Sequence, residues 1–139
     1  MKALVTGGAG FIGSNIIKLL IEQGHQVAVL DNLSTGLSHC QTVDFIKGDV
    51  RDLSAVSRAA EKAGVIFHLA ASVGNARSLS DPLADSETNF LGTLRILEAA
   101  RRNGVRKVVV SSSAAIFGEL KTLPIREDHP HYLPCRNNV

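Results

Sequence analysis

Tryptophan is absent from this chain, and tyrosine and methionine occur once each. Five phenylalanines complete a thin aromatic set, which offers no platform for stacking the bases of a single nucleic-acid strand. The formal charge of +2 is too small to argue for nucleic acid or an acidic membrane as partner. Cysteine is equally sparse. Cys40 and Cys135 stand far apart, in no metal-ligand spacing and unlike a disulfide framework. Free thiols fit a reducing compartment, so the reading is a cytoplasmic protein without a metal site. No apolar stretch approaches the ~20 residues that a membrane-spanning helix needs. The apolar run before Gly7 is too short for a secretion signal. Repeats and low-complexity linkers are missing too.

What is present alternates. Ala3–Thr6 is a short buried strand pattern ending at glycine. From Phe11 to Gln23 the residues Ile12, Ile16, Ile17, Leu19 and Leu20 fall at helical spacing, and Gly24 stands where a helix ends. Gln26–Leu30 and Val43–Lys47 read as strands two and three. Asp52 caps a helix whose apolar side holds Leu53, Val56, Ala59, Ala60 and Ala63. Val65–Ala71 is a fourth strand, within which His68 reads as a hydrogen-bonded core histidine. The longest helix starts at the cap Asp81 with Pro82 as its first residue and ends at Gly104. Asp85 and Glu87 lie early in it and Arg101 and Arg102 late, an order that suits the helix dipole. Those arginines, with Arg106 and Lys107, read as a solvated helix end. Lys107–Ser113 is a fifth strand. From Ala114 the periodicity fades, and the remainder, with Pro124, Pro130 and Pro134, reads as extended loop. Strands rich in Val, Ile and Leu alternating with helices predict an α/β fold with a doubly wound parallel sheet. Right-handed crossovers give the Rossmann strand order 3-2-1-4-5.

The glycines after the first strand need a reason, because glycine weakens helices and strands by roughly 0.5–1 kcal/mol relative to alanine. Gly8-Ala9-Gly10-Phe11-Ile12-Gly13 fits G-x-G-x-x-G between a strand and a helix, and Gly7, Gly10 and Gly13 are also spaced at three. Gly7 and Gly8 permit the tight turn, Gly10 lets a pyrophosphate approach the backbone, and Gly13 lets the helix pack close to the strand. Amides at the helix start then face the phosphate charge. Asp31, at the end of the second strand, stands where an acid meets the adenosine ribose. Its charge repels a 2′-phosphate, so NAD is expected over NADP.

The segments TGGAGFIG, DNLSTG, GDVRD, HLAA, the stretch from SDP to NFLGT, and SSSAAIFG together resemble the extended short-chain dehydrogenase/reductase family. Within it they are most similar to the NAD-dependent sugar-nucleotide epimerases and dehydratases of the UDP-glucose 4-epimerase type. The resemblance covers residues 1 to about 130. It implies that Gly7, Gly10, Phe11, Ile12 and Gly13 line the pyrophosphate. Asp31 and Asn32 would hold the adenosine ribose, with Ser34, Thr35 and Gly36 nearby. Asp49 and Val50 would flank the adenine, the acid accepting from its exocyclic amine. Leu69, Ala70 and Ala71 would pack along the cofactor, Asn89 would face the centre of the site, and Ser111 would stand beside the nicotinamide. Ser113 would hydrogen-bond the reacting sugar hydroxyl. The family's full-length members imply a UDP- or dTDP-linked nucleotide sugar as substrate and a homodimer as assembly.

The family's chemistry is reversible hydride transfer at the sugar C4, with a tyrosine as base. A tyrosine of ordinary pKa near 10 is brought towards neutrality by a lysine one helical turn later. That Tyr-x-x-x-Lys motif is missing. The only tyrosine, Tyr132, is followed by Arg136 at that spacing, comes about five residues early, and has no helical pattern around it. The expected tyrosine position falls on Asn137 or Asn138. Phe117 stands where the family usually has tyrosine. Residues 1–130 therefore read as an incomplete NAD-binding domain that stops before the remaining strands and the substrate domain. Residues 131–139 read as a divergent tail from a truncated or frame-shifted gene, or from a genuine short protein. The function expected is the NAD-binding portion of a nucleotide-sugar epimerase or dehydratase, inactive as it stands. The alternatives are an inert NAD-binding module and an NADP-linked reductase of a non-sugar carbonyl.

Overall fold

A computed structural model describes residues 1–35, 43–118 and 120–130. Five parallel strands, β1 (Lys2–Thr6), β2 (Gln26–Asp31), β3 (Asp44–Lys47), β4 (Val65–His68) and β5 (Lys107–Val110), form one sheet in the order β3-β2-β1-β4-β5. This is the doubly wound order expected from the alternating pattern.

Side chains alternate across each strand, and this divides the core in two. Leu4, Ala28, Leu30 and Ile66 point to one face, where they meet Ala55, Val56 and Ala59 of α2 (Leu53–Ala59) and Ile96, Ala99 and Ala100 of α5 (Gly92–Arg102). Ala3, Val5, Val27, Val29 and Val65 point to the other, under Ile17 and Leu20 of α1 (Phe11–Glu22). β5 is only half covered, with Val109 and Val110 exposed.

The capping residues act as the sequence predicts. The Asp52 carboxylate accepts the Ser54 amide at 2.8 Å and the Asp81 carboxylate accepts the Ala84 amide at 3.0 Å. Gly24 follows α1 at φ +74°, a left-handed conformation that glycine adopts without strain. The long helix differs from expectation. It starts at Pro82 but divides into α4 (Pro82–Ser86), a π-helical turn (Glu87–Leu91) and α5. A short helix that the pattern did not reveal, α3 (Asn75–Ser80), precedes it. Beyond β5, Ala114–Phe117 form a 3-10 turn rather than extended loop. Strands four and five also stop earlier than predicted, at His68 and Val110.

Candidate functional site

At the carboxyl ends of the strands lies a cavity of about 480 Å³, beside the point where the strand order reverses. Ligands of open α/β sheets bind at this position. Its floor is the loop between β1 and α1. Gly7 sits at φ +70°, and a Cβ there would come within 2.7 Å of the Ala70 amide nitrogen. Gly13 is closed differently, since its Cβ would run into the Gly7 carbonyl and the Gly8 Cα. Gly10 is open. An added Cβ would meet only the Gly7 carbonyl, at 3.3 Å, and the residue lines the cavity. Gly7 and Gly13 are thus bare because protein backbone presses on them. The space left at Gly10 faces the cavity. Phe11 and Ile12 complete this floor, and the first amides of α1 have no carbonyl one turn earlier to bond.

The carboxylate of Asp31 ties the loop to the end of β2. One of its oxygens accepts the Ala9 amide at 2.9 Å and the other accepts the Leu33 amide at 2.8 Å. Each oxygen keeps acceptor capacity, and the residue lines the cavity with Asn32, Ser34 and Thr35. Gly36 lies outside the described residues. Asn32 donates to Asp49 at 2.9 Å. Asp49 also accepts the Arg51 amide and, bidentately, its guanidinium, at 2.9–3.0 Å. The guanidinium holds the Asp49 carboxyl well below the usual carboxylate range, against a smaller opposing effect of burial. These four bonds fill the positions at which a carboxylate accepts. An amine reaching Asp49 from the cavity displaces one of these donors. Val50, also at the wall, is buried against Gly92, where an added Cβ would lie 3.0 Å from its side chain.

Leu69, Ala70, Ala71 and Ser111 form the wall opposite, at the ends of β4 and β5. Ser113 is not in the cavity lining; its hydroxyl oxygen caps the 3-10 turn, accepting the Ala115 amide at 3.2 Å. That bond leaves the hydroxyl proton free to donate. Asn89 is not in the lining either. From the π-helical turn it clamps the backbone of Ser72, taking the amide and donating to the carbonyl, both at 2.8 Å. Ser72 does line the cavity, so Asn89 acts on the site at one remove. Sequence reasoning missed Arg51 and Ser72, and also Arg77, Ala84 and Thr88, which α3, α4 and the π-helical turn bring to the rim. The motif GDVRD contained Arg51, and the stretch from SDP to NFLGT contained Ala84 and Thr88; Ser72 and Arg77 carried no local signal. Among the described residues, no group of three or more His, Cys, Asp or Glu could hold a metal. No helix is long and apolar enough to cross a membrane among those residues.

A glycine loop against a helix start, with a carboxylate at the end of the second strand and a cavity across the switch point, defines a Rossmann domain built for a dinucleotide. The residues fit that group, since the one loop glycine not pressed by protein opens on the cavity. The chain belongs to the NAD dependent epimerase/dehydratase family, whose sequence pattern matches residues 3–138. A UDP-glucose 4-epimerase of Mycolicibacterium smegmatis is 43% identical over 94% of the chain and 44% of that protein. The structure of Thermus thermophilus UDP-glucose 4-epimerase in complex with NAD superposes with a TM-score of 0.85 at 43% identity, over 95% of this chain and 44% of that one. A UDP-N-acetylglucosamine 4-epimerase of Methanobrevibacter ruminantium has a TM-score of 0.81 at 34% identity, over 96% and 44%. The chain therefore spans less than half the length of these relatives.

Proposed function

We infer that this chain binds NAD in the cavity at the strand ends and is the cofactor-binding portion of a nucleotide-sugar 4-epimerase. The observation that carries the reading is the loop geometry. Gly7 and Gly13 are closed by backbone, whereas Gly10 opens on the cavity at the start of α1. A pyrophosphate on this floor receives helix-terminal amides and the positive end of the helix dipole. Asp31 receives the ribose hydroxyls on its remaining lone pairs and repels a 2′-phosphate. Leu69, Ala70 and Ala71 are short enough to let the dinucleotide run towards Ser111.

Bound NAD would supply a reversible hydride acceptor for C4 of a UDP- or dTDP-linked sugar. The chain's own residues hold and orient the reactants. Ser113 would donate its hydroxyl proton to the sugar oxygen, and the residues of the floor and wall would hold the cofactor. Arg136, not lysine, stands four positions after Tyr132, and that departure from Tyr-x-x-x-Lys favours a second reading, an inert NAD-binding module. The homodimer and the cytoplasmic location follow the family's pattern.

Calorimetric titration with NAD and NADP tests the cofactor assignment. Binding of NAD in preference to NADP is the expected result, and equal affinity or none refutes it.

A further inference from the structure

Behind the cavity wall runs a chain of buried and half-buried hydroxyl and imidazole groups that the function above does not use. Thr6 and His68 are 0% and 2% exposed, and they face each other at the ends of β1 and β4. The Thr6 hydroxyl oxygen lies 2.7 Å from His68 Nδ1. It accepts the amides of Leu69 at 3.2 Å and Ala70 at 3.3 Å. On its far side, His68 Nε2 lies 3.1 Å from the hydroxyl of Thr93. Thr93 in turn donates to the Asn89 carbonyl at 2.7 Å. Asn89 closes the circuit on the wall by its two bonds to Ser72.

One assignment gives every proton in this network an acceptor. A hydroxyl accepts at two positions and donates once. The Ala70 amide, and the Leu69 amide that is shared with the Thr6 carbonyl at 3.2 Å, approach the Thr6 hydroxyl oxygen as donors, so its own proton is spent on His68 Nδ1. The imidazole then carries its single proton on Nε2 and donates it to Thr93. Thr93 accepts there and spends its own proton on Asn89. In this assignment every donor meets an acceptor, and the ring is neutral with its proton on Nε2. Both ends of the segment 69–72 are thus held by one network. Thr6 holds Leu69 and Ala70, Asn89 holds Ser72, and the imidazole joins the two holders.

We propose that His68 is a positioning residue for the cavity. As the Nε2–H tautomer it couples Thr6 to Thr93, and so fixes the wall at residues 69–72 relative to the glycine loop that begins one residue after Thr6. The π-helical turn serves this arrangement. It reaches the wall with the Asn89 side chain and the Thr93 hydroxyl with the Asn89 carbonyl. Such turns recur where a helix must aim side chains at a site. The inference rests on reading the cavity as the dinucleotide site, but its direct test does not need the dinucleotide.

Long-range proton–nitrogen NMR of the full chain reads the tautomer, and amide exchange reads the wall. The expected result is a proton on Nε2 of His68. Thr93→Val, close in shape but unable to accept, should speed exchange of the Ala70 and Ser72 amides about fivefold or more. Amides of β2 should keep their rates, and Thr93→Ser should restore the wall. A general loss of stability would instead quicken β2 equally. A proton on Nδ1, or Thr93→Val exchange that is unchanged at the wall or raised equally throughout, overturns the proposal. With NAD, Thr93→Val should bind about tenfold more weakly and Thr93→Ser as the unmodified chain does. If the unmodified chain takes no NAD, the functional reading fails, and the tautomer and exchange results still decide this one.

Discussion

Placing a methyl group on Gly13 and on Gly10 should have opposite consequences. At Gly13 the new Cβ would press on the Gly7 carbonyl and lie 2.7 Å from the Gly8 Cα. Both neighbours are backbone, so no side chain can rotate away. Overpacking costs about 1–3 kcal/mol, and a backbone clash belongs at the upper end. Alanine is about 1 kcal/mol better than glycine inside a helix, which offsets part of this. The net loss is about 2 kcal/mol, or roughly 8 °C in Tm for a domain of this size. At Gly10 the nearest atom to the added Cβ is the Gly7 carbonyl oxygen at 3.3 Å. The backbone there is extended, at φ −81° and ψ 172°, which any residue adopts. Alanine is a poorer N-cap by about 1 kcal/mol at most, but its methyl enters the space that the pyrophosphate needs. Gly10→Ala should therefore melt within a few degrees of the unmodified chain and bind NAD at least about tenfold more weakly. Circular dichroism melting and calorimetry on the two variants separate the effects. A Gly13→Ala chain with unchanged Tm, or a Gly10→Ala chain with unchanged NAD affinity, would refute the assignment of what presses on each glycine.

Asp31→Ala should narrow the preference for NAD over NADP, because the repelling charge is lost; competitive titration checks it, and an unchanged ratio counts against the ribose role. Stability should fall as the solution is acidified, in two stages. Burial lowers the pKa of His68, so the unfolded chain takes up that proton first, and stability begins to drop below the ordinary histidine value of ~6.5. The depressed carboxyl of Asp49 contributes above the ordinary carboxylate value of ~4 and loses its effect as pH falls through and below it. Urea midpoints across this range test both, and His68→Leu should flatten only the upper stage. The purified chain should show no epimerase turnover with NAD and UDP-glucose, since a positioned base is worth typically 10²–10⁴-fold. A fusion after Pro130 to a relative's C-terminal portion should restore turnover, and Ser113→Ala in that fusion should lower it; activity of the unfused chain well above the uncatalysed rate would show the base to lie elsewhere.

Elements whose causes are local were legible in the sequence. The caps at Asp52 and Asp81 need only a side chain and an amide a few residues on. The floor of the cavity was legible for the same reason, because glycine spacing and helix start lie in one stretch. Strand ends were not. Val65–Ala71 and Lys107–Ser113 have continuous strand composition, yet the ladder stops where its partner stops. Thr6 pairs with His68 and His68 with Val110. Once β1 turns away at Gly7, β4 has no ladder left on that side, whatever its residues prefer.

The same reasoning explains why the motif, which implies that Asn89 faces the centre of the site, gave no sign that its side chain clamps the Ser72 backbone. A helical pattern predicts the face of a regular helix, with period 3.6. The π-helical turn at Glu87–Leu91 breaks that phase, and the bonds accompanying the break reach across the fold, to Ser72 and His68. Neither partner lies within one helical turn of Asn89 or Thr93. The rim residues Arg77, Ala84 and Thr88 arrive by the same route, on short elements aimed by contacts distant in sequence. Short-range pattern thus reaches the surface that touches the ligand where loop and ligand are adjacent in the chain. The layer that aims this surface is written in pairs such as Thr6 with His68, 62 residues apart, and only the folded sheet brings them together.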